Sequence, residues 1–412
     1  MKYLIIGASA AGISAAKTLR KLCPNDSIEV ISRDMNVHSR CMLHHFIDGR
    51  KNLDDINFSG EDFFEKYNVN WIKGHSASRI STEENEVVLD DETKVSYDKL
   101  LIASGANYIV PPIGDFRTAK NVFGLRDIRD AEKISQMALH SNDCVVVGSG
   151  LVGLDAAYAL TERGIRCHVV EMADRISPLQ LDYTAAAEYQ RLFEEAGCVF
   201  HLSSKVVGSK TDGFGNITVV LLESGNELKC DFVVMAAGVR PAVEFLLGSG
   251  IEVNKAVTVD CRLKTNIANV WAAGDVAGIT GIWPNAVEQG EIAARNMAGQ
   301  DVLYENRYGL KNTMNFYGLT TLSLGTALPS EGDTVCTRES HNRYMRLITR
   351  DNVVTGIIIQ GDISNSGFWQ ELVKNKINIK NVGKSLFSLG YADFYDYYPE
   401  DGSYKWNEDR QA

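Results

Sequence analysis

The sequence predicts an α/β fold: two parallel-sheet units of one design in series, then a smaller α+β domain. Three observations predict it. A strand, a glycine turn and a helix follow one another twice, in "YLIIGASAAGISAAKTL" from Tyr3 and in "DCVVVGSGLVGLDAAYALT" from Asp143. Strands ending in small residues, Tyr97–Ala106 and Asp231–Pro241, then repeat at roughly the same 135-residue offset as the turns. Residues 311–412 read differently. "YMRLITRDNVVTGIIIQGD" gives two strands around a turn at Arg350–Asn352, and "FWQELVKNK" gives a helix.

Size and composition bound the rest. A chain of 412 residues holds two or three domains. The net charge of -11 argues against non-specific binding to nucleic acid or to anionic membranes, and leaves room for a basic partner or a cation. Cys23, Cys41, Cys144, Cys167, Cys198, Cys230, Cys261 and Cys336 are scattered, with no CxxC. That spacing argues against a structural zinc site and a secreted disulfide framework, and for a reduced, cytoplasmic setting. The N-terminus superficially resembles a signal peptide. Lys17, Arg20 and Lys21 follow at helical spacing with no cleavage point, so a strand, turn and helix are expected instead. No stretch is apolar and long enough to span a bilayer. Neither a metal cluster nor a Ser/His/Asp order stands out.

In the first copy Tyr3–Ile6 is the strand, and Gly7-x-Ser9-x-x-Gly12 opens a helix. Such a turn aims backbone N–H groups and the helix dipole at a pyrophosphate. Ser9 replaces the middle glycine. The next strand is Ile28–Ile31; Ser32 stands at the usual acidic position, and Asp34 is the nearest carboxylate. The second copy is complete: strand Cys144–Val147, turn Gly148-x-Gly150-x-x-Gly153, helix Leu154–Thr161, and strand Arg166–Val170 ending at Glu171. A carboxylate there holds a ribose 2′-hydroxyl and repels a 2′-phosphate, so NADH is expected over NADPH. Arg175, close by, is the residue that argues the other way.

"NVWAAGDVAG" (Asn269–Gly278) adds a strand followed by Gly274-Asp275, where glycine allows close approach and the carboxylate can accept from a polyol. The ordered set of glycine turn, A-S-G-A, second glycine turn, A-A-G-V-R-P and A-A-G-D resembles the two-dinucleotide flavoproteins of the pyridine nucleotide–disulfide oxidoreductase superfamily. Its nearest likeness there is to NADH:rubredoxin oxidoreductases, the nitrite reductase flavin domain and NADH oxidases, over residues 1–310. The resemblance implies two Rossmann-like domains, FAD at the first turn and NAD(H) at the second, with hydride passing from nicotinamide to flavin. It implies an FAD-binding domain in two parts (1–112 and 244–310), an NAD-binding domain (113–243) and a C-terminal domain (311–412) at the interface of a homodimer. The FAD residues it implies are Gly7, Ser9, Ala10, Ala11, Gly12, Arg33, Arg40, Ala103, Ser104, Gly105, Gly274, Asp275 and Glu288. Those for NAD are Gly148, Gly150, Leu151, Val152, Gly153, Glu171 and Gly238. Asp275 would hold the ribitol. "WPNAVEQG" from Trp283 would start a helix aimed at the flavin pyrimidine, its dipole favouring the reduced anion.

The stretch "SRCMLHHFIDG" (39–49) would begin a helix beside the flavin ring. It aligns best with the S-K-P-M-L-S-H-Y-I of rubredoxin-type reductases, with Cys41 in the proline's place. A one-residue gap would match Cys41 to the redox cysteine of NADH oxidases and coenzyme A disulfide reductases, though the glycine expected after it is missing. Both roles stay open. A thiolate beside Arg40 and two histidines would have a lowered pKa, yet a lone cysteine is commonly a small buried residue. In relatives a basic residue at His45 pairs with a carboxylate at the position of Asp155, so a His45–Asp155 pair is expected to position nicotinamide and manage charge or a proton. His44 is given less weight. The electron acceptor implied is a rubredoxin-like or iron–sulfur protein or a small molecule. The alternatives are an NADH oxidase or disulfide or persulfide reductase using Cys41, and the NADH-oxidising flavin subunit of a larger complex. The tail, acidic and aromatic, either docks a redox partner or covers the C-terminal domain.

Overall fold

A computed structural model describes residues 1–306, 311–341, 343–380, 385–400 and 402–406. Its helices in chain order are α1 (Ala10–Leu22), α2 (Leu43–Ile47), α3 (Phe63–Lys66), α4 (Ile128–Ala138), α5 (Leu151–Thr161), α6 (Tyr183–Glu195), α7 (Trp283–Met297) and α8 (Ser366–Lys374).

The apolar run after Met1 becomes the central strand Lys2–Ile6 of a five-stranded parallel sheet. Across that sheet the order is Val270–Ala272, Lys99–Ile102, Lys2–Ile6, Ser27–Ser32, Asn70–Lys73. Leu4, Ile5, Leu100 and Leu101 are fully buried, as strands covered on both faces require. Residues 122–235 build the same design: Cys198–His201, Arg166–Val170, Asp143–Val147, Phe232–Met235 and Val122–Gly124, again all parallel. The two halves are tied by a short antiparallel ribbon, Ala106–Tyr108 against Val239–Pro241. The ribbon thus starts where the A-S-G-A and A-A-G-V-R-P segments end.

Residues 311–361 form a five-stranded antiparallel sheet, with α8 packed on it through Phe368, Trp369 and Leu372. Asp351 and Asn352 both have positive φ and make a two-residue hairpin turn, so the strand runs through Arg350, which was expected in the turn. This sheet leans on the second half through aromatic contacts. Phe316 and Tyr317 pack against Tyr158, Tyr189 and Phe193, and the Tyr189 hydroxyl donates to the Leu319 carbonyl at 2.8 Å. Asp182, fully buried, caps α6 by accepting from Ala185 N and also accepts from Tyr344 and Arg346 of the sheet. In the tail, Tyr395–Tyr398 and Ser403–Trp406 pair as a hairpin; residues 407–412 lie outside the described residues.

Candidate functional site

A cleft of about 330 Å³ opens at the carboxyl end of the first sheet, where open α/β folds bind ligands. The Gly7–Ala11 turn, Asp34, Arg40, Ser104, Asp275 and Trp283 are among its walls. The turn is shaped by backbone packing. A β-carbon on Gly7 would lie 2.2 Å from the Ala103 carbonyl, and one on Gly12 would lie 1.8 Å from that of Gly7. A β-carbon on Gly290 would lie 2.1 Å from the Ala11 carbonyl, so that glycine lets α7 close onto α1.

The long helices of the two parallel-sheet units differ in how they start. Asp127 caps α4 and Asp182 caps α6, each accepting from first-turn N–H groups. By contrast α1, α5 and α7 have no side-chain cap and no acidic residue in the first turn. Their N-terminal N–H groups and positive dipole ends are therefore left for an anion. α1 and α7 both start at the cleft, and α5 starts at the second glycine turn. The Asp34 carboxylate accepts from Arg40 at 3.1 Å through Oδ2, while its buried Oδ1 has no partner. An acceptor left open in the wall of the cleft suits a hydroxylated ligand. Uncapped helix, close-packed turn and open carboxylate together fit the pyrophosphate and hydroxyls of FAD.

The second turn differs from the expected one in a single respect. Its helix begins at Leu151 rather than Leu154, with Gly150 as N-cap, so Leu151, Val152 and Gly153 form the first helical turn. Gly153 is required there because a β-carbon would sit 2.0 Å from the Gly148 carbonyl. At Gly150 a β-carbon would meet nothing, so packing does not require that glycine. Glu171 accepts from Ser149 N at 2.9 Å, Ser149 Oγ at 2.8 Å and Ala173 N at 2.9 Å, which fixes its carboxylate beside the turn. Arg175 is spoken for. It donates to the carbonyls of Leu181 and Pro178 and to Asp174, and it covers the Tyr183 ring.

The stretch 39–49 is a 3-10 turn, Arg40–Met42, followed by α2. Cys41 lies in the turn and faces the cleft. Its thiol is pushed above the usual range by burial and next by the Asp155 charge. The lowering expected from Arg40 is missing because that guanidinium turns away, to Asp34 and the Arg126 carbonyl. The expected histidine pairing also changes. It is His44, not His45, whose Nδ1 faces Asp155 Oδ1, at 3.7 Å. Asp48, at the C-cap of α2, captures His45 Nδ1 at 3.2 Å and holds it off. Burial lifts the Asp155 carboxyl to about 7 and lowers His44 to about 4. Between those values the one proton of the pair sits on the carboxyl, so this is a neutral couple rather than an ion pair.

Arg126 is a cleft residue that no motif announced. It donates to the Ala106 carbonyl and to Asp275, and so sets the carboxylate expected to hold the ribitol. Of the other anticipated residues, Arg33 lines the cleft and pairs with Asp127 at 2.9 Å. Ala103, Ser104, Gly105 and Gly274 also line it, whereas Glu288 accepts from Asn306. Gly238, at φ +100, accepts from Ile109 N in the ribbon between the halves. No metal cluster stood out in the sequence. His75, Asp90 and Asp91 do come within 4.8 Å of one another, and hydrogen bonds from His75 and Ser76 N already engage Asp90.

Two like-built parallel sheets, each opening on an uncapped helix, with a third uncapped helix over the first, define a two-dinucleotide flavoprotein. The chain belongs to the pyridine nucleotide-disulphide oxidoreductase family, whose model matches residues 1–290, and residues 311–377 match the rubredoxin NAD+ reductase C-terminal domain. It is similar to the NADH-dependent phenylglyoxylate dehydrogenase subunit epsilon of Aromatoleum evansii, with 30% identity over 392 residues and 92% of each chain. It is also similar to the NADH-rubredoxin oxidoreductase of Clostridium acetobutylicum, 26% identical over 92% of this chain and 96% of that one. The fold matches an NAD-dependent persulfide reductase from A. fulgidus, with TM-score 0.83 and 24% identity over 94% of this chain and 79% of that one. The family match makes the protein an FAD-dependent NAD(P)H oxidoreductase that passes electrons from NADH to an acceptor. No helix among the described residues is long and apolar enough to cross a membrane.

Proposed function

We propose that the electrons leave for a small iron–sulfur or rubredoxin-like protein, and that Cys41 takes no redox part. The observation that carries this reading is the setting of Cys41: burial and the Asp155 charge push its thiol up, and Arg126 offsets them only in part. A thiolate is the reactive species in disulfide and persulfide chemistry, and this site disfavours it. When bound, FAD supplies a two-electron acceptor that can be emptied one electron at a time. The chain's own residues do the rest. Gly150 and the first turn of α5 seat the NADH pyrophosphate, Glu171 holds the adenosine ribose, and the Asp155–His44 couple positions the nicotinamide against the flavin. Arg40, Arg126 and Asp275 orient the flavin from the opposite wall.

The test is direct. Cys41→Ser should retain more than about half of the NADH:ferricyanide and NADH:rubredoxin activity, and one equivalent of NADH should raise no long-wavelength thiolate–flavin band. Loss of activity in that variant returns Cys41 to the mechanism. A second reading is supported by the likeness to a dehydrogenase subunit over 92% of both chains. In it the acceptor is the iron–sulfur cluster of another subunit, and gentle purification should bring that subunit down with the flavoprotein.

Coenzyme preference follows from Glu171 and from the engagement of Arg175. Glu171→Ala should lower kcat/KM for NADH about tenfold, the loss of roughly one hydrogen bond to a charged group. It should also narrow the NADH-over-NADPH ratio by a similar factor, because the charge that repels a 2′-phosphate is gone. Steady-state kinetics with both coenzymes measure it, and an unchanged ratio would remove Glu171 from recognition.

A further inference from the structure

We infer that Ser149, the residue between the first two glycines of the second turn, sets coenzyme choice by locking the Glu171 carboxylate in place. The inference rests on the reading above, in which Glu171 holds the adenosine ribose, and names what holds Glu171. Ser149 is fully buried. Its N–H and its hydroxyl both donate to one oxygen, Glu171 Oε2, at 2.9 and 2.8 Å. Its carbonyl accepts from Ser177 N at 3.0 Å.

The surroundings hold this arrangement from three sides. Ser177 is fully buried as well and has φ +44, a left-handed backbone that a non-glycine residue adopts at a cost. Its own loop over-determines it. The Ser177 carbonyl accepts from Gln180 N and Leu181 N, each at 2.9 Å, and its hydroxyl donates to Gln180 Oε1 at 2.9 Å. The loop after the strand Arg166–Val170 is thereby fastened to the glycine turn through Ser149. The main chain of Glu171 is fastened separately. Its N–H donates to the His201 carbonyl at 3.0 Å, and its carbonyl accepts from Ser204 N at 2.9 Å. Ala173 N completes the set by donating to Oε1 at 2.9 Å. Backbone thus fixes where the Glu171 side chain starts, and Ser149 fixes where its carboxylate ends.

Hydrogen-bond capacity then decides what Glu171 can read. A carboxylate has about four acceptor sites. Ser149 fills those of Oε2 and Ala173 fills one on Oε1, so a site on Oε1 is left for a ribose hydroxyl. A carboxylate held in this way does not swing aside for a 2′-phosphate, and its charge opposes one at a fixed point. Of the three donors, the Ser149 hydroxyl is the one that belongs to a side chain. Alanine at 149 keeps a small residue and the N–H, and removes the hydroxyl alone. The Glu171 carboxylate then gains freedom to turn, and its aim at the ribose is lost. Ser149 is therefore a positioning residue, acting through Glu171.

The experiment is calorimetric titration of the oxidised, flavin-loaded full chain with ADP-ribose and with its 2′-deoxyadenosine analogue. In the wild type, loss of that hydroxyl should weaken binding about tenfold, the size of one hydrogen bond to a charged group. In Ser149→Ala the two ligands should differ by less than about threefold, because the group that reads the hydroxyl is no longer aimed. A substitution that merely damaged the turn would weaken both ligands alike, and a ratio kept at the wild-type value overturns the inference. In the Glu171→Ala background, Ser149→Ala should change the ratio no further; a further change also overturns it. Turnover supplies a second readout. The NADH-over-NADPH preference should narrow in Ser149→Ala, with the change falling on KM rather than on kcat. Ser149→Gly, which lacks the same hydroxyl, repeats the comparison if Ser149→Ala folds poorly. A ratio that survives in Glu171→Ala sinks the ribose reading itself. A ratio lost in Glu171→Ala but kept in Ser149→Ala sinks the inference alone.

Discussion

Asp182→Ala should destabilise the protein by about 3–5 kcal/mol in chemical denaturation followed by circular dichroism. Asp182 is fully buried and does two things at once. Oδ1 caps α6 on Ala185 N, and Oδ2 accepts from Tyr344 and from Arg346, the latter at 2.6 Å. The cap alone is worth about 1 kcal/mol. The larger part is the Arg346 charge, mostly buried, left without its partner. Burial and the bond to Asp182 already push the Tyr344 hydroxyl up to about 12. Removing the charge by Arg346→Met in the Asp182→Ala background should therefore recover a good part of the loss. The exposed pair Arg262–Asp301 is the contrast: Asp301→Ala should cost far less, since both groups are open to water. Equal losses at the two sites would show that the carboxylate at 182 is not holding the C-terminal sheet onto the second half.

Asp155→Asn should separate two roles of one residue. Anaerobic reduction of the flavin by NADH should slow about tenfold to a hundredfold, the usual cost of misplacing a reacting group; an unchanged rate would defeat the positioning role. Stability should move the other way with pH. The folded protein holds the Asp155 proton up to about 7, while an unfolded aspartate loses it near 4. Between those values the native state binds more protons than the unfolded one. The wild type therefore keeps the benefit of the neutral carboxyl at low pH and loses it as pH rises through about 7. Asparagine has no proton to lose. The two proteins should have equal stability near pH 4, and the variant should be the more stable by up to about 4 kcal/mol near pH 8. Part of the Asp155 side chain, 28%, stays open, so the measured gain should fall below that bound. Parallel denaturation curves at the two pH values would leave burial without an effect here.

Local features of the fold were legible in the sequence because they are decided locally. A buried parallel strand needs an apolar run. The glycine turn needs residues that can pack on a carbonyl, as Gly12 and Gly153 do. The helix starts of the two parallel-sheet units were legible too: Ser9, Gly150 and Ile282 precede first turns without acid, whereas Asp127 and Asp182 cap theirs. The choice between His44 and His45 was not legible. α2 has only five residues, too few for helical periodicity to choose a face, and the outcome turns on Asp48 capturing the second imidazole. Arg126 escaped notice for a related reason. It is an isolated arginine in a loop whose partners, Ala106 and Asp275, are 20 and 149 residues away. The thiol of Cys41 went in the direction opposite to the one its neighbours suggested, because burial and then the Asp155 charge raise it while Arg40 spends its charge elsewhere.

The strand Val270–Ala272 completes the first sheet beside Lys99–Ile102, and α7 then packs on α1 across more than 250 residues of chain. On a ribosome, the sheet begun by Lys2–Ile6 must therefore wait, missing one edge and one layer, until the chain has been made through Met297. The intervening unit can close on its own in the meantime. Loading of the flavin is thus a late event in the life of each new molecule, and the unfinished N-terminal sheet is the stretch most exposed to misassembly before it.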